Sequence, residues 1–330
     1  MASRTSDHLQ KSTNVRSDLS RIAAASVARA FTWAPSVSAS AALYLWTHPQ
    51  RRTRPARELP VLATGEPIRI PYGMGSLAGW LWGVGPTVLL VHGWEGRGSQ
   101  LGAFVEPLVA AGFSVVSFDA PAHGDSQGDR ASLIRFADAI DAAVRAAGPV
   151  HGIVAHSMGS AASLLAIAGG LVVQRLVLVA PADPSRAIER FTEAVGLPEP
   201  VQTRMEQDLL ARYGQGIRTL AAPLLAAGSP APALVIHDHD DRWCPIDDAR
   251  AYADARQDFV LLETRGLGHH RVLRDPGVVS STVRYLQSAE VEPVPVTAPL
   301  SRPVDAIDAI DGLDITITAE EIMADLAWGR

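Results

Sequence analysis

The chain has 330 residues, 47% of them hydrophobic, which is enough to bury the core of one α/β domain of moderate size with terminal extensions. A formal charge of −6 with no concentrated basic patch argues against a nucleic-acid partner. The single cysteine, Cys244, excludes an internal disulfide and a cysteine-based metal site, so a reducing cytoplasm is the expected compartment.

Residues 1–20 are polar and without periodicity, and read as a disordered start. Residues 22–46 carry Arg29 as their one charge and are rich in Ala, Ser and aromatics. Their length would span a bilayer, but Arg29, Pro35 and the weak insertion tendency of Ala and Ser oppose that. The expectation is one or two helices packed on the domain, with weak membrane association through 22–46 as the competing reading. Residues 1–60 are therefore taken as an N-terminal extension.

Strands are expected at 67–71 and 76–83, antiparallel, with Gly73 and Gly75 in the turn between them. The run Thr87-Val88-Leu89-Leu90-Val91 has the unbroken apolar character of a parallel central strand. A helix at 101–111 closed by Gly112, a strand at 113–118 and a helix at 131–147 follow. In the last of these, Ile134, Ala137, Ile140 and Val144 share a face. Strands at 175–180, 233–237 and 259–263, and helices at 246–256 and 271–287, complete residues 61–288 as an α/β domain with a mostly parallel sheet. The non-strand stretch at 182–230 is an insertion with helices at 185–195 and 201–213. Residues 289–330 form an acidic, low-complexity tail.

The decisive stretch is Ala155-His156-Ser157-Met158-Gly159, where a β-branched run ending at Ser157 passes directly into an Ala/Leu-rich helix. So abrupt a turn strains the residue at its apex and needs nearly side-chain-free neighbours two positions either side. A serine that merely caps a helix would show much of the same local composition.

From about residue 65 to residue 288 the chain resembles the α/β-hydrolase superfamily, whose nucleophile elbow usually reads Gly-x-Ser-x-Gly; Ala155 replaces the first glycine here. The resemblance implies a serine nucleophile at Ser157, followed in chain order by an acid and a histidine. His237-Asp238-His239-Asp240-Asp241-Arg242-Trp243-Cys244-Pro245 resembles the family's acid loop, in which an aspartate four residues before a proline selects Asp241. Asp238 and Asp240 compete for the role, and the mix of His and Asp leaves a metal site as the minor alternative. Gly266-Leu267-Gly268-His269-His270 resembles the terminal histidine loop, which selects His269 with His270 as runner-up.

Oxyanion donors implied by the same resemblance are the backbone N–H groups of Met158, after the nucleophile, and Trp94, in His92-Gly93-Trp94. His92 would brace its loop. Asp119 and His123, in Asp119-Ala120-Pro121-Ala122-His123-Gly124-Asp125-Ser126, would be structural. The insertion would be a short helical cap. The expected activity is cofactor-free and metal-free hydrolysis of a small-molecule ester or thioester with a small or medium acyl group. A non-catalytic binding protein, or a peptidase or acyltransferase using the same groups, is the alternative; oligomeric state is not encoded legibly.

Overall fold

The computed structural model describes residues 35–213 and 216–288. An eight-stranded sheet runs through it, made of β1 Glu66–Tyr72, β2 Gly75–Trp82, β3 Thr87–Val91, β4 Ser114–Phe118, β5 Val150–His156, β6 Arg175–Val179, β7 Ala233–Asp238 and β8 Phe259–Thr264. The spatial order is β1-β2-β4-β3-β5-β6-β7-β8. β1 and β2 form the expected hairpin, with Pro71 opposite Ser76, and β2 pairs antiparallel with β4. Every other pairing is parallel.

The two-residue period of the strands sorts their side chains into two cores. Leu89, Val116, Ile153, Leu178 and Val235 face one side. Their neighbours Val88, Val115, Val154, Val177 and Ile236 face the other. Continuous apolar runs are what a sheet covered on both faces requires. Each fully buried Leu, Ile or Val adds about 1.5–3 kcal/mol.

The helices are α1 Pro35–Thr47, α2 Leu59–Ala63, α3 Val105–Ala110, α4 Leu133–Ala147, α5 Met158–Ala168, α6 Ala187–Val195, α7 Glu199–Tyr213, α8 Ala222–Ala227, α9 Ile246–Asp254, α10 Gly268–Arg271 and α11 Pro276–Gln287. Two expected helices prove to be broken, each at a proline. The stretch expected as one helix over 101–111 is a 3₁₀ segment, Gly98–Phe104, followed by α3. Pro107 has no N–H to return to Ala103, and an α-helix starting at Val105 puts it in the first turn, where none is needed. The stretch expected over 271–287 divides at Asp275, whose extended backbone (φ −71°, ψ 126°) is the conformation that a following proline demands. Its carboxylate then caps α11, accepting the Val278 N–H at 3.0 Å. α8 and the single-turn α2 were not expected.

The described chain forms two compact units. The larger comprises the sheet, its covering helices and residues 47–185 and 218–288. In the smaller, α1 packs with the helices of the insertion: Ala39, Ala42 and Leu43 share a core with Ile188, Val201, Met205 and Leu209. The second half of the apolar stretch at 22–46 is thus a helix with a protein partner. At 13 residues α1 is about 20 Å long, against the roughly 30 Å of a bilayer core. Among the described residues no helix is long and apolar enough to cross a membrane. Residues 22–34, the start for which disorder is expected and the acidic tail lie outside the described residues.

Candidate active site

Four loops leave the carboxyl ends of parallel strands β3, β5, β7 and β8, and they carry the residues singled out above. Ser157 is the single residue between β5 and α5. It holds φ 53° and ψ −123°, a strained conformation for a residue with a side chain. Its N–H donates to the Val179 carbonyl at 2.9 Å, which ties the turn to β6. The small neighbours have specific reasons. A Cβ on Gly159 would lie 2.4 Å from the His92 carbonyl oxygen, and one on Gly93 would lie 2.8 Å from the Ser157 Cβ. Ala155 is fully buried with its methyl accommodated, so the replaced glycine costs the turn nothing visible.

Asp241 and His269 meet directly. The His269 Nδ1–H donates to Asp241 Oδ2 at 2.6 Å, with the carboxylate wholly shielded from solvent. Asp241 Oδ1 is held separately by the N–H groups of Trp243 (2.8 Å) and Cys244 (3.0 Å). Burial alone would raise the pKa of Asp241, but the His269 bond and these two N–H groups outweigh it and bring the pKa below its ordinary value. The two competing aspartates are occupied elsewhere. Asp238 accepts from the Gly268 and Leu267 N–H groups and from the Thr264 hydroxyl, and Asp240 from the Gly266 N–H. They anchor the backbone of the histidine loop, and Asp241 engages its ring.

His156, not singled out in the sequence, is the link from the turn to this loop. Its Nε2–H donates to the His269 carbonyl at 2.9 Å, and the two rings lie 4.6 Å apart. The Ser157 hydroxyl makes no hydrogen bond with His269 among the described residues; such bonds are often long before substrate binds. His270 makes no hydrogen bond among the described residues, so only His269 is bonded to Asp241. His156, His269 and His270 are also the one group among the described residues that could hold a metal ion, with ligand atoms within 4.8 Å. The alternative metal loop at 237–245 gathers no such group among the described residues.

The loop after β3 is braced by two imidazoles. His92 Nε2 accepts the Ala120 N–H (2.9 Å) while its Nδ1–H donates to the Gly93 carbonyl (2.7 Å). His123 Nε2 accepts the Glu95 N–H (3.0 Å) while its Nδ1–H donates to the Pro121 carbonyl (2.8 Å). Both rings are neutral in this arrangement, which suits bracing and not proton transfer. The Trp94 N–H makes no hydrogen bond among the described residues, and Met158 is the first residue of α5, where N–H groups lack an intrahelical acceptor. Asp119 accepts the Gly98 N–H (2.8 Å) and the Asp125 N–H (2.8 Å) and so pins the next turn.

A further layer was not visible in the sequence. Three of the four arginines at 51–57 strap these loops. Arg51 donates to the carbonyls of Gly124 (2.6 Å) and Gly128 (2.7 Å), and Arg52 pairs with Glu95 (2.9 Å). Arg54 reaches Asp119 at 2.5 Å and Asp125 at 2.9 Å. Next to them Glu58 forms a buried, two-pronged pair with Arg97 (2.6 and 2.7 Å) and accepts from the Ser99 hydroxyl (2.7 Å). Their one sequence signal is the density of arginines just ahead of the first strand. Glu58→Ala, which strands a buried guanidinium, is expected to cost about 3–5 kcal/mol of stability in a urea titration. Replacing both partners (Glu58→Leu with Arg97→Met) should restore most of that.

The buried imidazoles also set an acid limit. Burial lowers the pKa of His92 to about 4 and of His123 to about 3, and holds His156 and His237 below their ordinary value. Below pH of roughly 6.5 the unfolded chain takes up protons that the native rings cannot, so stability should fall as pH drops from there toward 4. Urea midpoints at pH 7.5, 6 and 5 check this; a flat profile would mean that these rings are accessible.

The sequence model of the Alpha/beta hydrolase family matches residues 88–282, more than half of the chain. The chain belongs to the alpha/beta hydrolase family. Solved structures with the same fold include the Pyrococcus furiosus esterase Pf2001, at 16% identity and a TM-score of 0.56, covering 73% of this chain and 97% of that one. Est1E from Butyrivibrio proteoclasticus, solved with ferulic acid bound, is 19% identical with a TM-score of 0.56, covering 67% and 100%. The thioesterase domain from the curacin biosynthetic pathway is 16% identical with a TM-score of 0.52, covering 68% and 99%. No curated protein sequence matches the chain significantly.

Proposed function

We propose that this alpha/beta hydrolase family member is a serine hydrolase cleaving carboxylic ester or thioester bonds of small or medium acyl substrates. The observation that carries the reading is the 2.6 Å bond between His269 Nδ1 and Asp241, set beside a serine on a strained strand-to-helix turn. With its Nδ1–H committed to Asp241, His269 presents the Nε2 lone pair as a base.

In the proposed reaction Ser157 Oγ attacks the substrate carbonyl carbon while His269 Nε2 takes the hydroxyl proton. Charge builds on the carbonyl oxygen, where the N–H groups of Met158 and Trp94 receive it. The tetrahedral adduct collapses, the C–O or C–S bond breaks, and His269 returns the proton to the departing alcohol or thiol. Water, deprotonated by His269, then attacks the acyl carbon, the bond to Ser157 Oγ breaks, His269 returns the proton to that oxygen, and the acid is released. Asp241 stabilises the imidazolium in both halves.

The short insertion between β6 and β7 favours small or medium acyl groups over long chains, and a protein with one cysteine suits the cytoplasm. Labelling with a fluorophosphonate probe, followed by hydrolysis of 4-nitrophenyl esters of increasing chain length, tests the reading. Failure of the native protein to label or hydrolyse any of them would remove it.

A further inference from the structure

Of the four arginines at 51–57, Arg57 alone makes no ion pair or hydrogen bond among the described residues, although its charge acts on Glu58 next to it. It lines a pocket of about 220 Å³ with Glu58, Ser99, Gln100, His270 and Arg274. Arg274 likewise makes no ion pair or hydrogen bond among the described residues. Glu58, the one carboxylate in the lining, is already matched: Arg97 grips both of its oxygens and the Ser99 hydroxyl adds a third bond. Three arginines thus stand around one carboxylate, and two of them, the exposed Arg57 and Arg274, line the concavity with their donors uncommitted among the described residues.

Unpaired arginines carry five donors each in a planar fork that suits carboxylate and phosphate oxygens. Gln100 adds an amide, and His270 places the pocket beside the proposed base, since its ring lies 5.1 Å from that of His269. Burial and the neighbouring His269 disfavour protonation of the His270 ring, against the pull of Asp241, and the charge of Arg274 adds to them.

We propose that this pocket holds the anionic end of the substrate, a carboxylate or a phosphate, so that the ester or thioester cleaved carries a second, acidic group. The proposal rests on the serine-hydrolase reading for its catalytic consequence, but its binding test does not.

Glutarate and inorganic phosphate are titrated calorimetrically into the Ser157→Ala protein and into the same protein carrying Arg57→Gln and Arg274→Gln. At least one anion should bind, and the paired substitutions should weaken it by roughly tenfold or more. Binding of glutarate alone assigns a dicarboxylic monoester, and binding of phosphate alone a phosphorylated substrate. No binding, or equal binding to both proteins, overturns the pocket. In the Ser157 protein, the ratio of kcat/KM for 4-nitrophenyl hydrogen glutarate over 4-nitrophenyl butyrate should fall by a similar factor with the arginine substitutions. An unchanged ratio removes the role in substrate choice. Failure of the serine-hydrolase reading shows separately, as absent fluorophosphonate labelling, whatever the titrations give.

Discussion

Ser157→Ala is expected to abolish fluorophosphonate labelling and to lower kcat by about 10⁴–10⁶, with the fold retained. Loss of the nucleophile leaves only the binding and oxyanion contributions, which is why the effect should be so large. Stability should change little, within about 1 kcal/mol, because the hydroxyl makes no hydrogen bond among the described residues and alanine suffers the same positive φ. Ser157→Gly should remove activity equally and yet raise the unfolding midpoint, since glycine relieves the strain at φ 53°. Ser160 and Ser163 are the internal controls. Their hydroxyls donate to the carbonyls of Ala155 (3.1 Å) and Gly159 (2.8 Å), so they are structural, and alanine there should leave labelling in place. Labelling that survives Ser157→Ala would put the nucleophile elsewhere and end the proposed mechanism.

How much of this was legible follows from the range over which each feature is encoded. The eight strands are short runs whose apolar character is local, and they emerged within a residue or two. The turn at Ser157 was equally readable, because Ala155 and Gly159 mark where backbones must nearly touch, as the His92 carbonyl does at Gly159. The helix breaks at Pro107 and Pro276 were local too; there the apolar pattern was followed past a proline that should have outweighed it. The arginine strap was out of reach for a different reason. Arg51, Arg52 and Arg54 find partners 43 to 77 residues away, on loops that converge only after the sheet has formed. Glu58 and Arg97 are 39 residues apart, and neither looks buried in isolation. α1 packs with helices some 150 residues later in the chain, so its composition favoured a packed helix over a membrane anchor without showing what it packs on.

Asp241→Asn is expected to lower kcat by about 10⁴ while leaving the unfolding midpoint nearly unchanged. The reason lies in which oxygen is committed. The Trp243 and Cys244 N–H groups both point at Oδ1, so an asparagine must keep its carbonyl oxygen there and turn its NH₂ toward His269. An NH₂ group facing Nδ1 forces the ring proton onto Nε2, the atom that has to accept the serine proton. Asp238→Asn should behave in the opposite way. Its Oδ1 accepts from the Asp240 and Gly268 N–H groups and its Oδ2 from Thr264 and Leu267, so an NH₂ confronts a donor in either orientation. The cost should be about 1–3 kcal/mol of stability, with activity affected only through the loosened histidine loop. Burial alone would raise the Asp238 pKa, but the Gly268 N–H and the other donors outweigh it and lower it. Its stabilisation is therefore complete above the ordinary carboxylate range and lost as pH falls through the depressed value, so the penalty of Asp238→Asn should shrink in acid. Parallel measurement of kcat and urea midpoints for the two variants separates the roles. A kcat collapse at Asp238→Asn with Asp241→Asn active would exchange them, making Asp238 the group that orients His269.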